Sequence, residues 1–228
     1  MRLGKALGAL AMIMLLGGCG GGGASDNGIE KLSADNALAK VKADAAAVTS
    51  VHVKGEIDQS GKSLGLDVRL GKAMGTGTLT ISGGQLEIRL LNGTAYVRGD
   101  QAALIASGAP ASQASLAADK WLKGSATTGS LSSFSSFLDI KTLFNALLTP
   151  QGSLKTGSST TVNGTKAFSL IDTSSSGGTL YIAQTGKALP LRILKTGSGG
   201  GQVDFTDYDA KVTVTAPAGA IDISQLGQ

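Results

Sequence analysis

"LEIRLLNGTAYVRG", residues 86–99, decides the fold. Apolar and polar residues alternate on both sides of Asn92-Gly93, a dipeptide that strongly favours a two-residue type I′ hairpin turn. Folding the stretch about that turn sets Leu90 opposite Ala95, Ile88 opposite Val97 and Glu87 opposite Arg98. One face is then apolar. The other carries an opposite-charge cross-strand pair, worth roughly a few tenths of a kcal/mol.

The same period of two extends outward in both directions. In "SVHVKGEID" (50–58) Val51, Val53 and Ile57 share one face, while His52, Lys54, Glu56 and Asp58 share the other. "SLGLDVRLG" (63–71) repeats the pattern with Leu64, Leu66, Val68 and Leu70, so the two stretches read as a hairpin with one wet face. "GTGTLTIS" (75–82) reads as a third strand. Past the middle of the chain come a second Asn-Gly turn at Asn163-Gly164, two strands in "GGTLYIAQTGKALPLRILKTG" (177–197), and closing strands in "GQVDFTDYDAKVTVTAP" (201–217). About eight to ten short antiparallel strands are expected in all.

Two helices interrupt this pattern. Ser33 can cap one running to about Thr49, with a stripe of Leu38, Val41, Ala45 and Val48. The second, "SSFSSFLDIKTLFNALLTP" (132–150), is stopped near Pro150, and its apolar residues cover roughly 220° of the helical wheel. Such a helix is buried on two sides or lines an apolar space. Ser107 to Ser133 reads as a Gly/Ala/Ser-rich connection in which Trp121 is a local core anchor. Sheet with segregated helices makes the class α+β.

The N-terminus is of a different kind. Arg2 and Lys5 precede an apolar run, Ala6–Leu16, of 11 residues, against the ~20 that a spanning helix needs. A basic start, a short apolar run and small residues before a cut are the parts of a secretory signal. Leu16-Gly17-Gly18-Cys19 resembles a bacterial lipobox, in which Cys19 becomes the diacylated mature N-terminus. A free thiol in an oxidising compartment is chemically awkward, and nothing around Cys19 can bury it. Two acyl chains meet the requirement for stable attachment, and Gly20–Gly23 start a flexible leash. Residues 1–18 are thus expected to be the signal, 19–30 the acylated cysteine and tether, and 31–228 one domain. With Arg2 and Lys5 removed, 18 basic side chains face 16 acidic ones, so the net charge falls from +4 to +2.

Catalytic chemistry is missing. The single histidine, His52, lies by parity on the polar face of its strand. Gly61-Lys62-Ser63-Leu64-Gly65 matches G-x-S-x-G, but it falls in a hairpin turn with the only histidine upstream of the serine, so it reads as a turn. Asp207 and Asp209 sit at a loop or strand edge. The glycine runs lack a phosphate loop's Lys-Ser/Thr ending. No catalytic residue, metal ligand or cofactor site is expected. No basic stripe interleaved with aromatics suggests nucleic acid.

Six stretches, "AVTSVHVKGEI", "GTAYVRG", "KWLKG", "TVNGTKAFSL", "LYIAQTGKALPLRI" and "DFTDYDAKVTVTAPAGAIDIS", occur in an order that resembles the LppX/LprG-like lipoproteins of actinobacteria, relatives of the LolA and LolB carriers. The resemblance implies a strongly curved antiparallel β half-barrel with helices packed on its concave side, enclosing an apolar pocket for acyl chains. Its expected lining is Phe134, Phe137, Leu138, Phe144 and Leu147 from the middle helix, with Leu66, Val68, Ile88 and Val97 from the sheet. The same residues packed tightly would make an ordinary core. The expected protein is a monomer held on the extracytoplasmic face of the cell membrane by its acyl chains. Its ligand is a lipid, lipoglycan or other acylated molecule, and an envelope transporter or other protein is a further partner. The alternative is an envelope interaction or sensing module without lipid cargo.

Overall fold

The computed structural model describes residues 25–59, 62–132, 136–196 and 199–225. Five consecutive hairpin-linked strands open the sheet: β1 Ser50–Gln59, β2 Lys62–Gly71, β3 Met74–Ile81, β4 Gly84–Leu91 and β5 Thr94–Gly99. The β4–β5 turn forms as the sequence dictates, with Asn92 at φ 49° and Gly93 at φ 79°. Its register pairs Leu90 with Ala95, Ile88 with Val97 and Glu87 with Arg98, and the last two are joined by an ion pair. Asn163 and Gly164, at φ 49° and 78°, make the same kind of turn between β7 Leu154–Val162 and β8 Thr165–Asp172. The remaining strands are β6 Leu122–Ser125, β9 Thr179–Ala183, β10 Pro190–Lys195, β11 Gly201–Thr206 and β12 Ile221–Asp222.

All twelve belong to one sheet, in the order β12-β6-β5-β4-β3-β2-β1-β11-β10-β9-β8-β7. This corrects the expected half-barrel. The order is linear and ends in two edges, β12 and β7, that do not pair with each other, so the sheet stays open. It is also mixed, because β12 joins β6 in parallel. Alternation reports which face a residue takes; curling depends on how twist and bulges add up over twelve strands, and no single stretch encodes that. The strand count exceeds the expected eight to ten. Conversely, "KVTVT" (211–215) forms no strand. It is a strap leading from β11 toward β12, tied to β4 where Arg89 donates to the Thr215 carbonyl (3.0 Å).

The helices share the sheet's apolar face. α1 (Ala34–Ala46) starts where the Ser33 hydroxyl accepts from the Asn36 N–H, and it buries Ala37, Val41 and Ala45. It ends before Thr49, whose N–H donates to Asp209 (2.7 Å) at the entry to β1. Two short helices, α2 (Gln101–Ala106) and α3 (Ala111–Ala117), lie in the connection from β5 to β6, with α3 inside the Gly/Ala/Ser-rich stretch. α2 is capped by Asp100, and its Ala103 lies so close to β4 that a Cβ on Gly84 would come within 2.4 Å of the Ala103 nitrogen. The middle helix is not continuous. A 3-10 turn, Ser136–Leu138, precedes α4 (Ile140–Leu147), and the Asp139 carboxylate starts α4 afresh by accepting from the Thr142 N–H.

Trp121 also departs from expectation. Pairing of β6 with β5 puts Trp121 on the polar face, half-buried, with Arg89 4.6 Å and Arg98 5.1 Å from its ring centroid. It is a cation–π platform, not a core anchor.

Two capping carboxylates give the fold a pH dependence. Backbone N–H groups of Ala103 and Gln85 hold the Asp100 carboxyl below its ordinary range. The Thr49 N–H, then the Lys187 ammonium and the Thr49 hydroxyl, do the same for Asp209. A carboxyl with a depressed folded-state pKa stabilises the fold above its unfolded value and loses that contribution as pH falls through the folded value. The urea midpoint should therefore stay level above about pH 5 and fall as the pH drops below about 4. In Asp100→Asn the fall should be shallower.

Candidate functional site

Asp139, as the cap of α4, fixes which way the following apolar residues point. Ile140, Leu143, Phe144 and Leu148 turn inward and are buried, and Phe144 stacks on Phe205 of β11 with ring centroids 5.8 Å apart. One turn earlier, Leu138 drops onto β3, where a Cβ on Gly75 would lie 3.1 Å from the Leu138 Cβ. A side chain at Gly75 would press on Leu138 and require the 3-10 turn to give by a few tenths of an ångström.

The sheet gathers the expected lining residues as their parity requires. Phe205, Val53, Val68, Gly77, Ile88 and Val97 pair in succession across β11, β1, β2, β3, β4 and β5, forming one transverse row. Leu66 lies two residues along β2 on the same face. Leu66, Val68, Ile88, Val97, Leu138 and Phe144 all belong to one buried cluster, with Phe137 and Leu147 partly buried against it. Phe134 lies outside the described residues, as do Cys19, the rest of residues 1–24 and Gly61 of the G-x-S-x-G match. Over most of its length, then, the space between helix and sheet is filled by side chains.

It is not filled beneath the C-terminal end of α4. There a cavity of about 170 Å³ remains, walled by Leu147 of α4, Leu38 of α1, Leu154 of β7, Leu170 of β8, Leu180 of β9 and Ile193 of β10. Of the eight described residues among those expected to line a ligand space, Leu147 alone borders it. The other walls come from strands whose ends converge only in the tertiary fold; Leu38 of the α1 stripe was the one further signal. Asp172, Thr179 and Lys195 stand at the rim. Partial burial pushes the Asp172 carboxyl up, but N–H groups of Ser174, Gln151 and Gly152 outweigh it and hold the group below its ordinary range.

A larger concavity, about 1010 Å³, lies on the opposite, polar face over β1–β4 and β11. Its charged walls are largely paired, as in Lys54–Asp67 (2.9 Å) and Arg192–Asp204 (2.6 Å). Beside it His52 is more enclosed than a solvent-facing strand residue, with Nε2 2.6 Å from Asp67 and Nδ1 3.5 Å from Asp207. This face offers hydrogen bonds and charge, not a place for hydrocarbon. Among the described residues no three His, Cys, Asp or Glu side chains are grouped to hold a metal ion, and no helix is long and apolar enough to cross a membrane.

No protein-family model matches the chain, and no curated protein matches it in sequence. Solved structures do match. LprF from Mycobacterium bovis superposes with a TM-score of 0.56 at 13% identity, covering 86% of this chain and 100% of that one. The Mycobacterium tuberculosis lipoprotein LppX superposes with a TM-score of 0.51 at 20% identity, covering 79% of this chain and 100% of that one. The backbone thus agrees with the family that the order of the sequence motifs resembles: this chain has the fold of LprF and LppX.

Proposed function

We propose that this chain is a non-catalytic, membrane-anchored extracytoplasmic lipoprotein that binds the acyl chains of a lipid, lipoglycan or other acylated molecule between α4 and the sheet. The observation that carries the reading is the apolar cavity beside Leu147, with a polar rim where Lys195 and Thr179 can meet a headgroup. Its 170 Å³ is close to the volume of a ~150 Å³ apolar cavity that admits benzene, but this one opens to solvent along its polar rim. At about 0.8 kcal/mol per buried methylene, six carbons contribute roughly 5 kcal/mol, from which the entropic cost of binding is subtracted. A longer chain needs more room. α4 and the Ser136–Leu138 turn would lift off Gly75 and Phe205, and the acyl chain would take their place along the row of Leu66, Val68, Ile88 and Val97, with Phe134, Phe137, Leu138, Phe144 and Leu147 on the helix side.

The test is organic extraction of the purified full-length protein followed by mass spectrometry. Wild type should release acylated material near one equivalent per chain. Leu147→Trp, which plugs the cavity, should release several-fold less, while Leu147→Met should behave as wild type. A wild-type protein that yields no acylated molecule sinks the proposal.

The polar concavity supports a second reading, an envelope interaction or sensing module. On that reading Arg69→Glu would abolish capture of a membrane protein and Leu147→Trp would not.

A further inference from the structure

The chain enters the domain at a fixed point. Ser25–Asn27 lie along the Gln184–Gly186 segment that follows β9. The Asn27 N–H donates to the Gln184 carbonyl (2.9 Å), the Gly186 N–H to the Ser25 carbonyl (3.0 Å), and the Asn27 side-chain amide to the Ala183 carbonyl (2.9 Å). Two residues on, Ile29 is fully buried in the core. The root of the N-terminal segment is therefore held by the sheet and cannot slide along it. The Gln184 N–H in turn donates to the Lys166 carbonyl (3.0 Å), which places the root beside the first residues of β8.

The Leu147 cavity opens at the other end of the same strands. Its rim residues Asp172, Thr179 and Lys195 are the last of β8, the first of β9 and the last of β10, and Gln151 and Ser176 stand beside them. Lys166 and Asp172 are six residues apart on β8, which at about 3.3 Å per residue sets root and mouth roughly 20 Å from each other. When the mouth faces a bilayer, the root stands at about that height above it.

Six residues, Gly20–Ser25, carry the chain from Cys19 to the root. At full extension a segment of that length spans at most about 20–22 Å, which only just equals the distance from root to mouth. A Gly-rich linker of six residues averages roughly 12–15 Å end to end. A root held at that average height leaves no room for the domain to turn its mouth down, and tilting lowers the root only by turning the mouth aside. We infer that the leash gauges access to the membrane: the cavity takes an acyl chain from the bilayer that anchors it only with Gly20–Ser25 drawn out nearly straight. At shorter extensions the mouth faces away from that bilayer. The inference rests on the anchored-lipoprotein reading and adds to it the pose in which loading occurs.

The test compares three acylated full-length chains in phospholipid vesicles: wild type, a chain lacking Gly20–Gly23, and one with Gly-Ser-Gly-Ser inserted after Gly23. Acylated Cys19 is the only native cysteine, so Ser176→Cys at the rim can carry a fluorophore, with Thr161→Cys, paired with Lys166 beside the root, as a second site. Lipids spin-labelled on the headgroup quench whichever site touches the bilayer surface. Quenching at 176 should be several-fold weaker than wild type in the shortened chain and at least twofold stronger in the lengthened one, whereas 161 should be quenched most in the shortened chain. Purified from cells, the shortened chain should release several-fold less acylated material on organic extraction, while octanoate added in solution binds all three equally. Equal quenching at 176 in the three chains, or a wild-type yield of lipid from the shortened one, would overturn the inference and leave the lipoprotein reading standing. Failure of wild type to float with the vesicles, or of all three chains to bind octanoate, would remove that reading and the inference with it.

Discussion

Phe144→Ala should lower the stability of the lipid-free domain by about 3–5 kcal/mol, the range for removing a buried aromatic side chain. For a domain of about 200 residues that is a fall in Tm of roughly 6–20 °C. Phe144 is 6% exposed, and its ring stacks on Phe205. Asp139 at one end of α4 and Pro150 beyond the other restrain the helix from sliding in to fill the gap. The hole left behind would adjoin the row of Val53, Val68 and Ile88 and enlarge the space available to an acyl chain. The same variant should therefore retain at least as much extracted lipid as wild type, and added ligand should recover part of the lost stability, because a ligand that binds only the folded state stabilises it. Thermal unfolding of delipidated protein, with and without a fatty acid, measures both effects. A Tm that barely moves in delipidated Phe144→Ala would show that α4 does not hold the core as described.

The second large effect concerns the tether. Cys19→Ala should move the protein almost wholly from the membrane fraction to the soluble fraction. One saturated chain of myristoyl length supports binding of only about 10⁴ M⁻¹, and a second chain raises that steeply, so losing both removes essentially all of the attachment. The charge left behind, 18 basic against 16 acidic side chains, is too balanced to hold the domain on anionic headgroups. Fractionation with carbonate washing, together with the intact mass of wild type, checks this. A wild-type mass without two acyl groups, or a Cys19→Ala chain that still sediments with membranes after the wash, would remove the anchor from the account.

Much of this architecture is written in local pattern. Alternation and the Asn92-Gly93 turn determine the pairing of Glu87 with Arg98, because slipping by one residue would turn every apolar side chain of β4 and β5 to the wet face. Local pattern also places His52 off the apolar face and puts Val51, Val53, Leu66, Val68 and Leu70 in the core. The short helices α2 and α3 were not legible, since Ala- and Ser-rich stretches of six and seven residues carry no apolar period; their seat is supplied by Gly84 and Gly99, far from them in pattern. Trp121 was misplaced because the parity of β6 is set by its pairing with β5, not by its own four residues.

By itself, then, the chain's order of residues determined most of the strands, how the hairpin-linked ones align and which side of each is apolar. These are short-range matters of backbone sterics and the two-residue repeat. Whether the sheet closes, and whether apolar side chains leave a void, belonged to the tertiary structure alone. Openness is a sum of small rotations over twelve strands. The cavity beside Leu147 is the small remainder left when side chains from α1, α4 and β7–β10 meet, and no one of those segments contains it.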